Sequence, residues 1–381
     1  MNISKLPSID IITLHPPGDA RVYEREARSL SKYCTRLRLI APSKQNHVPN
    51  DTDIEFLTVL VPRNRIETFL ITPIRLLLKS RIKPSKVVYI QDAILLYLLP
   101  IFRLFGQQCI YDIHEDYPNM VMRRSYIPIF LRKLTRIAVY FYEQLFGRFA
   151  TGITAAVYPL EKAISGKHGV VIRNFPTMKT ITQGLLVKKP IDEREFDIVH
   201  LGVISGERFT FFIDILDILI KKNPNIKCMI IGLRDEYIHK IKSRIPNINV
   251  LIYPWLPHEK VLRELSRCKI GIGVWPVLYT HLKPAIPVKM FEYMAAGCCI
   301  VTSHMPGFEN LLRPEDISEI EVVNTNEPSF YADKILDTLG KSKELIRRSE
   351  HLQSIVVDYY SWEKSEEIKL IDYFYMQTCP K

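Results

Sequence analysis

Short apolar runs that stop at a glycine or a turn alternate with longer amphipathic stretches, and the alternation plays through twice along the 381 residues. The first pass opens on Ile9–Leu14, followed by His-Pro-Pro-Gly-Asp, a helical stretch over 22–32 and a second apolar run at 37–41. Further strand-like runs fall at 56–61, 87–90, 109–113, 152–156 and 170–173, with helical patterns between. Strands separated by helix-length segments pair in parallel, because a parallel partner is reached only through a crossover. Residues 176–195 are polar and aperiodic and read as a linker. The alternation restarts at Phe196–Gly202, continues through a helix over 209–222, and gives strands at 226–231, 250–253, 270–274 and 299–302. The expected fold class is α/β, with two Rossmann-like domains and a cleft between them.

Charge divides along the same line. The formal net charge is +11, but residues 1–190 carry 28 basic and 14 acidic side chains, whereas residues 191–381 carry 24 and 27. A basic half beside a near-neutral half points to two domains facing different partners. With 47% hydrophobic and 24% charged residues the chain is globular and not disordered. Seven cysteines without Cys-x-x-Cys or Cys/His zinc spacing read as reduced core thiols. The opening residues lack a signal-peptide pattern, and the longest apolar run, 93–102, is too short for a membrane span of about 20 residues. The expectation is a soluble or peripheral cytoplasmic protein.

Three segments carry chemistry. Pro287-Val-Lys-Met-Phe-Glu-Tyr-Met-Ala-Ala-Gly297 reads as a loop entering a helix that closes on glycine before a strand. Lys289 and Glu292 share one face of its first turn. A helix N-terminus attracts anions, a lysine there adds charge for a phosphate, and a glutamate accepts hydrogen bonds from a ribose diol. Alone, Lys-x-x-Glu reads as a surface ion pair. Leu201-Gly-Val-Ile-Ser-Gly-Glu-Arg208 ends a strand in Gly202 and puts a loop arginine where a phosphate binds in a Rossmann unit. Ile110-Tyr-Asp-Ile-His-Glu-Asp-Tyr-Pro118 sets His114 and Glu115 at a strand end, pointing opposite ways and so doing different jobs.

The first of these resembles the PxKxFEYMAxG segment of GT-B glycosyltransferases, especially family 4. The second resembles that family's GxISxxRG loop, and the third its YDxHEdyP stretch. Val88–Asp92, Asp19-Ala-Arg21, Val171–Pro176 and Tyr360-Ser-Trp362 resemble further family elements in the family's order. The resemblance implies an acceptor domain over 1–180, a nucleotide-sugar domain over 191–357, and a helix over 358–381 returning to the first domain. It implies that Arg208 and Lys289 hold the donor diphosphate and act in catalysis, that Glu292 binds the ribose, and that Gly18 and Gly202 border the donor. It implies that His114 and Glu115 act in the cleft. Pro284 stands where family 4 places the first glutamate of E-x7-E, and Val203 where an arginine is usual. The family relies on no cofactor or metal; a nucleotide-sugar of UDP or GDP type is the co-substrate. Retention of configuration is implied, with Glu115 or Asp19 as the base should the reaction invert.

The implied function is transfer of a sugar to a glycan or polyprenyl-diphosphate-linked acceptor in cell-envelope polysaccharide assembly. Two rivals are a GT-B sugar-nucleotide epimerase and a membrane-bound scaffold with a degenerate donor site. Residues 63–86 hold seven basic side chains and one acidic, and 123–148 hold six and one, interleaved with Phe, Tyr, Ile and Leu. Positions 130, 134, 137, 141, 145 and 149 form a helical stripe. Such surfaces suit the anionic inner face of the cytoplasmic membrane, at roughly 1 kcal/mol per basic residue. No nucleic-acid motif is present. The paired Cys298–Cys299, Trp255 and Trp275 are expected to pack in the core, with one tryptophan as an alternative wall for a nucleotide base.

Overall fold

The computed structural model describes residues 5–379 apart from 45–47, 123, 125–126, 187–188, 247, 276–286 and 306. It divides into two compact units, Met1–Asn174 with Ser365–Lys381, and Phe175–Lys364. The first unit therefore ends at Asn174 and not at 180, and the chain re-enters it at Ser365 and not at 358.

The first unit is built on seven parallel strands: β1 (Ile9–Ile12), β2 (Leu37–Pro42), β3 (Glu55–Val59), β4 (Val87–Ile90), β5 (Gln108–Ile113), β6 (Gly152–Ala155) and β7 (Val170–Val171). Their order is β3-β2-β1-β4-β5-β6-β7. Strands β1, β2 and β4 are buried on both faces, as expected of a parallel sheet under helices. That burial forces charges to pair. Asp10 sits beside Arg38 in the β1–β2 register, and Arg38 donates to both its carboxylate oxygens at 2.7 and 2.5 Å, with both residues almost fully enclosed.

The second unit has six parallel strands: β8 (Phe196–Leu201), β9 (Lys227–Ile231), β10 (Asn249–Tyr253), β11 (Cys268–Gly273), β12 (Cys299–Ser303) and β13 (Glu321–Val323), in the order β10-β9-β8-β11-β12-β13. Alternate residues feed the two faces. Val199, Met229 and Ile300 join one apolar cluster, and Ile198, Ile230 and Val301 the other. In both sheets the chain winds outward from the first strand in one direction and then crosses over to wind in the other. The crossovers lie between β1 and β4, and between β8 and β11. Ligands of open α/β sheets bind beyond the carboxyl ends of the strands at such a point.

Two expectations change, the linker at 176–195 and the place of Trp255. Residues 176–195 are not a linker. They carry the helix Met178–Leu186, which buries Ile181 and Gly184, and they belong to the second unit. The Gly184 backbone approaches the Ala295 carbonyl, 3.1 Å from an added Cβ, so tertiary packing overrides the poor helix propensity of Thr-Ile-Thr-Gln-Gly. The stripe on Ile129–Gly147 is helical as expected, and it faces outward: Phe130, Leu134 and Phe141 are 81, 64 and 63% exposed, and only Glu143 and Gly147 are buried. Trp255 is 74% exposed and packs no core. All cysteines except Cys379 are buried, and all are free thiols. No helix among the described residues is long and apolar enough to cross a membrane.

Candidate active site

In the second unit, β8 and β9 end in Gly202 and Gly232, both left-handed at φ +91 and +94. A Cβ on Gly232 would stand 3.1 Å from the Gly202 backbone, so the two strand ends touch through glycine alone. A Cβ on Gly202 would meet nothing within 4 Å, which leaves the space beyond β8 open. The helix Gly206–Lys222 follows and carries Arg208 on its first turn. Arg208 Nε donates to the Val274 carbonyl at 3.0 Å, bridging from β8 across the crossover to the end of β11.

Lys289 and Glu292 lie on the helix Val288–Ala295. Lys289 Nζ donates to the Leu201 carbonyl at 2.9 Å and lies 3.4 Å from His200 Nε2. Arg208 and Lys289 share one indole: the guanidinium carbon is 5.4 Å and Nζ 4.6 Å from the Trp275 ring centre. Trp275 is therefore a buried platform for two cations. Burial and the neighbouring Arg208 hold the Lys289 pKa well below its usual value, with Glu292 opposing. Burial, then Lys289 and Arg208, likewise keep His200 neutral, and its Nδ1 has no partner among the described residues. Two cations this close repel, and an added anion relieves that repulsion.

The helix is fixed from below. Tyr293 OH donates to the Ile272 carbonyl at 3.2 Å and accepts from the Leu201 N–H at 2.8 Å, and Gly271 leaves room for its ring. At its far end Arg194 and Ser349 donate to the Gly297 carbonyl at 2.9 and 2.7 Å, and Gln353 to that of Ala295 at 3.0 Å. These bonds satisfy the carbonyls that a helix end leaves over, and so set where Lys289 and Glu292 stand. Glu292 is largely buried in this frame. Pro284 falls outside the described residues.

The first unit gathers a second cluster at the ends of β1, β4 and β5. Buried Arg21 forms a bidentate pair with Asp112 at 3.0 Å, lies 3.0 Å from Glu26, and donates to the Ile172 carbonyl and to Asn174. Gln91 donates to Glu26 at 2.6 Å, and its carbonyl oxygen faces His114 Nε2 at 2.7 Å. The same nitrogen is 2.6 Å from Asp112, so two acceptors fix the proton on Nε2. Burial lowers the His114 pKa, but the Asp112 charge and hydrogen bond outweigh it and the net direction is upward. Glu26 is pushed up to about 7 by burial, against the pull of Arg21. The His15 ring stacks on His114 with centres 5.6 Å apart.

Of the sequence candidates, the second unit brings Gly202, Arg208, Lys289 and Glu292 together. His114 and Gly18 lie in the first unit, and Gly18 carries no steric demand, because an added Cβ would make only ordinary contact with Pro49. Glu115 is exposed while His114 turns inward. Asp19 is engaged in the turn before the helix at Val22–Ala27, accepting from the N–H groups of Arg21 and Val22 at 2.8 and 2.9 Å. The sequence also holds an Asp-x-Asp triplet, Asp51-Thr52-Asp53, in which Asp51 accepts from Tyr23 OH and from the Asp53 N–H. Among the described residues no group of three His, Cys, Asp or Glu is placed to hold a metal ion. Sequence reasoning missed His200 and Glu26. His200 is a lone polar residue in an apolar run and Glu26 one of several charges in a helical stretch, and only the fold supplies their partners.

Residues 195–341 match the family model for glycosyl transferases group 1. No curated protein matches the sequence. Among solved structures, the chain is similar to sucrose-phosphate synthase from Thermosynechococcus elongatus, with TM-score 0.72, 14% identity, and 97% of this chain and 98% of that one covered. It is also similar to a glycosyltransferase from Rickettsia africae (TM-score 0.69, 12% identity, 98% and 100% covered). A third similar structure is Anabaena Alr3699/HepE in complex with UDP and glucose (TM-score 0.64, 12% identity, 96% and 98% covered). At these identities the likeness speaks for the fold, and the family match speaks for the second unit's chemistry. The second unit thus carries a glycosyl transferases group 1 domain, on the residues that include Arg208, Lys289 and Glu292, in a chain that shares its two-sheet α/β fold with these glycosyltransferase structures.

Proposed function

We propose that this enzyme moves a sugar from a nucleotide-sugar of UDP or GDP type to a glycan or polyprenyl-diphosphate-linked acceptor in cell-envelope polysaccharide assembly, with retention of configuration. The observation that carries the donor half is the convergence of Arg208 and Lys289 on Trp275 at the β8–β11 crossover. As the glycosidic bond breaks, the diphosphate gains charge, and preorganised cations stabilise it without reorganisation. Glu292 accepts from the ribose hydroxyls, and the open space beyond Gly202 lets the diphosphate approach the backbone. The complexes of HepE with UDP and with UDP-glucose support a nucleotide-sugar partner. In the acceptor half, His114 is held with its proton on Nε2 and exposed Glu115 faces a pocket that an acceptor can enter. Retention follows from the family resemblance, with the leaving phosphate helping to deprotonate the acceptor.

A thermal-shift series with UDP, GDP and their common sugars tests the reading. A ligand bound only by the folded state at 100 times its Kd stabilises by about 2.7 kcal/mol. A rise in Tm with one nucleotide series, lost in Arg208→Ala, supports the donor site and names the base. Absence of any shift sinks it. Product anomer analysis then decides retention.

A further inference from the structure

One helical layer of the first unit is apolar and basic on its outer side. Tyr97 OH donates to the Phe69 carbonyl and Tyr142 OH to that of Ile94, tying together the segments 67–80, 93–104 and 129–147. Their inner residues, among them Leu76, Leu96 and Phe102, share one core cluster under the sheet. Their outer residues do not find a core. Phe69, Leu70, Ile74 and Leu78 are half or more exposed, as are Leu104 and Phe105. So are Phe130, Leu134, Ile137 and Phe141. Contiguous apolar surface on this scale marks an interaction face.

Charge selects the partner. Exposed Lys79, Lys83, Arg103, Lys133 and Arg136 stand among these apolar side chains. The carboxylates on these segments are Glu67, which accepts from the Arg63 N–H, and Glu143, which is buried. A second copy of this chain would bring basic side chains against basic side chains. Nucleic acid offers phosphates but no hydrocarbon for Leu and Ile. An anionic bilayer offers both, with acyl chains for the apolar row and headgroups for the cations.

We infer that this layer, 67–80 with 93–104 and 129–147, docks on an anionic membrane surface with Phe130, Leu134, Phe69 and Leu70 in the acyl boundary. The inference stands apart from the donor reading. It extends the acceptor reading, on which this one step rests: Ile137, Tyr140 and Phe141 also line a pocket of about 970 Å³ that holds Glu115, Lys133 and Arg136. A tail-anchored acceptor lying along the helix therefore reaches that pocket from the membrane plane.

Flotation of the full chain with phosphatidylglycerol–phosphatidylcholine vesicles, against phosphatidylcholine alone, is the test. Binding is expected only to the anionic vesicles, weakening with salt. Lys79→Glu with Arg103→Glu should weaken it about 30-fold, from about 1 kcal/mol per basic residue. Phe130→Ser with Leu134→Ser should abolish the part that survives high salt. Leu134→Trp should blue-shift on adding anionic vesicles, and the variants should keep the wild-type Tm. Equal binding to both vesicle types, indifference to these substitutions, or a concentration-dependent dimer that blue-shifts Leu134→Trp without vesicles would overturn the inference. Vesicle binding without any nucleotide thermal shift would leave the docking face standing and remove the donor reading.

Discussion

Lys289 offers a sharp test of the donor site, because its surroundings couple nucleotide binding to a proton. Its ammonium lies 3.4 Å from a neutral histidine and beside Arg208, and burial first, then the Arg208 charge, hold its pKa well below 10.5. A bound diphosphate supplies the anion that the cations lack and raises that pKa. Binding therefore takes up a proton. By linkage, affinity is highest below the free-state pKa and falls as pH rises through it, by about tenfold per pH unit for one full proton. Lys289→Met keeps apolar volume against Trp275 and removes the charge. A hydrogen bond to a charged group is worth about 1.5–3 kcal/mol, so the variant should bind about 10- to 150-fold more weakly at the low end of that window. At high pH the two curves should converge. UDP-glucose is the ligand of choice, since its diphosphate is esterified at both ends and does not titrate near neutrality. Calorimetry in two buffers of different ionisation heat reads the proton directly. Proton uptake by wild type that persists unchanged in Lys289→Met would refute the assignment, as would equal affinity at every pH.

Three further outcomes follow from the packing. Burial pushes Glu143 up to about 7 from 4.5, so the folded state holds its proton more tightly than the unfolded state and stability falls as pH rises between those values. Glu143→Gln keeps an acceptor for Tyr111 OH and should gain up to about 3 kcal/mol over wild type at pH 8 and little at pH 4, by denaturant titration; parallel curves would refute the shift. Gly271→Ala would place a Cβ 2.4 Å from the Tyr293 ring and should cost about 1–3 kcal/mol, with donor binding weakened because the Lys289 helix moves; an unchanged Tm would contradict it. Asp112→Asn leaves buried Arg21 without its bidentate partner and should cost about 3–5 kcal/mol in thermal unfolding, more than removal of any surface ion pair.

The strands were legible because a doubly covered parallel strand is a continuous apolar run, and each run stops at a turn residue. The expectations at 87–90 and 152–156 match the structure to within a residue. Strand β13, Glu-Val-Val, was too short and too polar at its start to register. The Lys289–Glu292 helix was legible from its closing Gly297, which is indeed left-handed at φ +65. What escaped was anything decided across the sheet. His200 looks like an ordinary strand residue until Lys289 arrives from 89 residues away. The Phe130–Phe141 stripe shows the opposite limit: periodicity tells that a face is apolar but not what it faces.

The division of the chain into units also has a consequence in time. Residues 175–364 form one unit inserted between two parts of the other. The last part matters to the first sheet: Tyr373 OH accepts from the Ile153 N–H at 2.7 Å, Phe374 packs edge-on against Tyr89, and Lys32 pairs with Glu367 at 2.7 Å. A ribosome adding about 5–20 residues per second spends roughly 10–40 s on the insert. Throughout that interval the nascent first sheet lacks the helix that covers one of its faces, while the outward apolar row of residues 129–147 has already emerged. The second unit, whose strands all arrive within one unbroken stretch, is free to fold first, although it is made later.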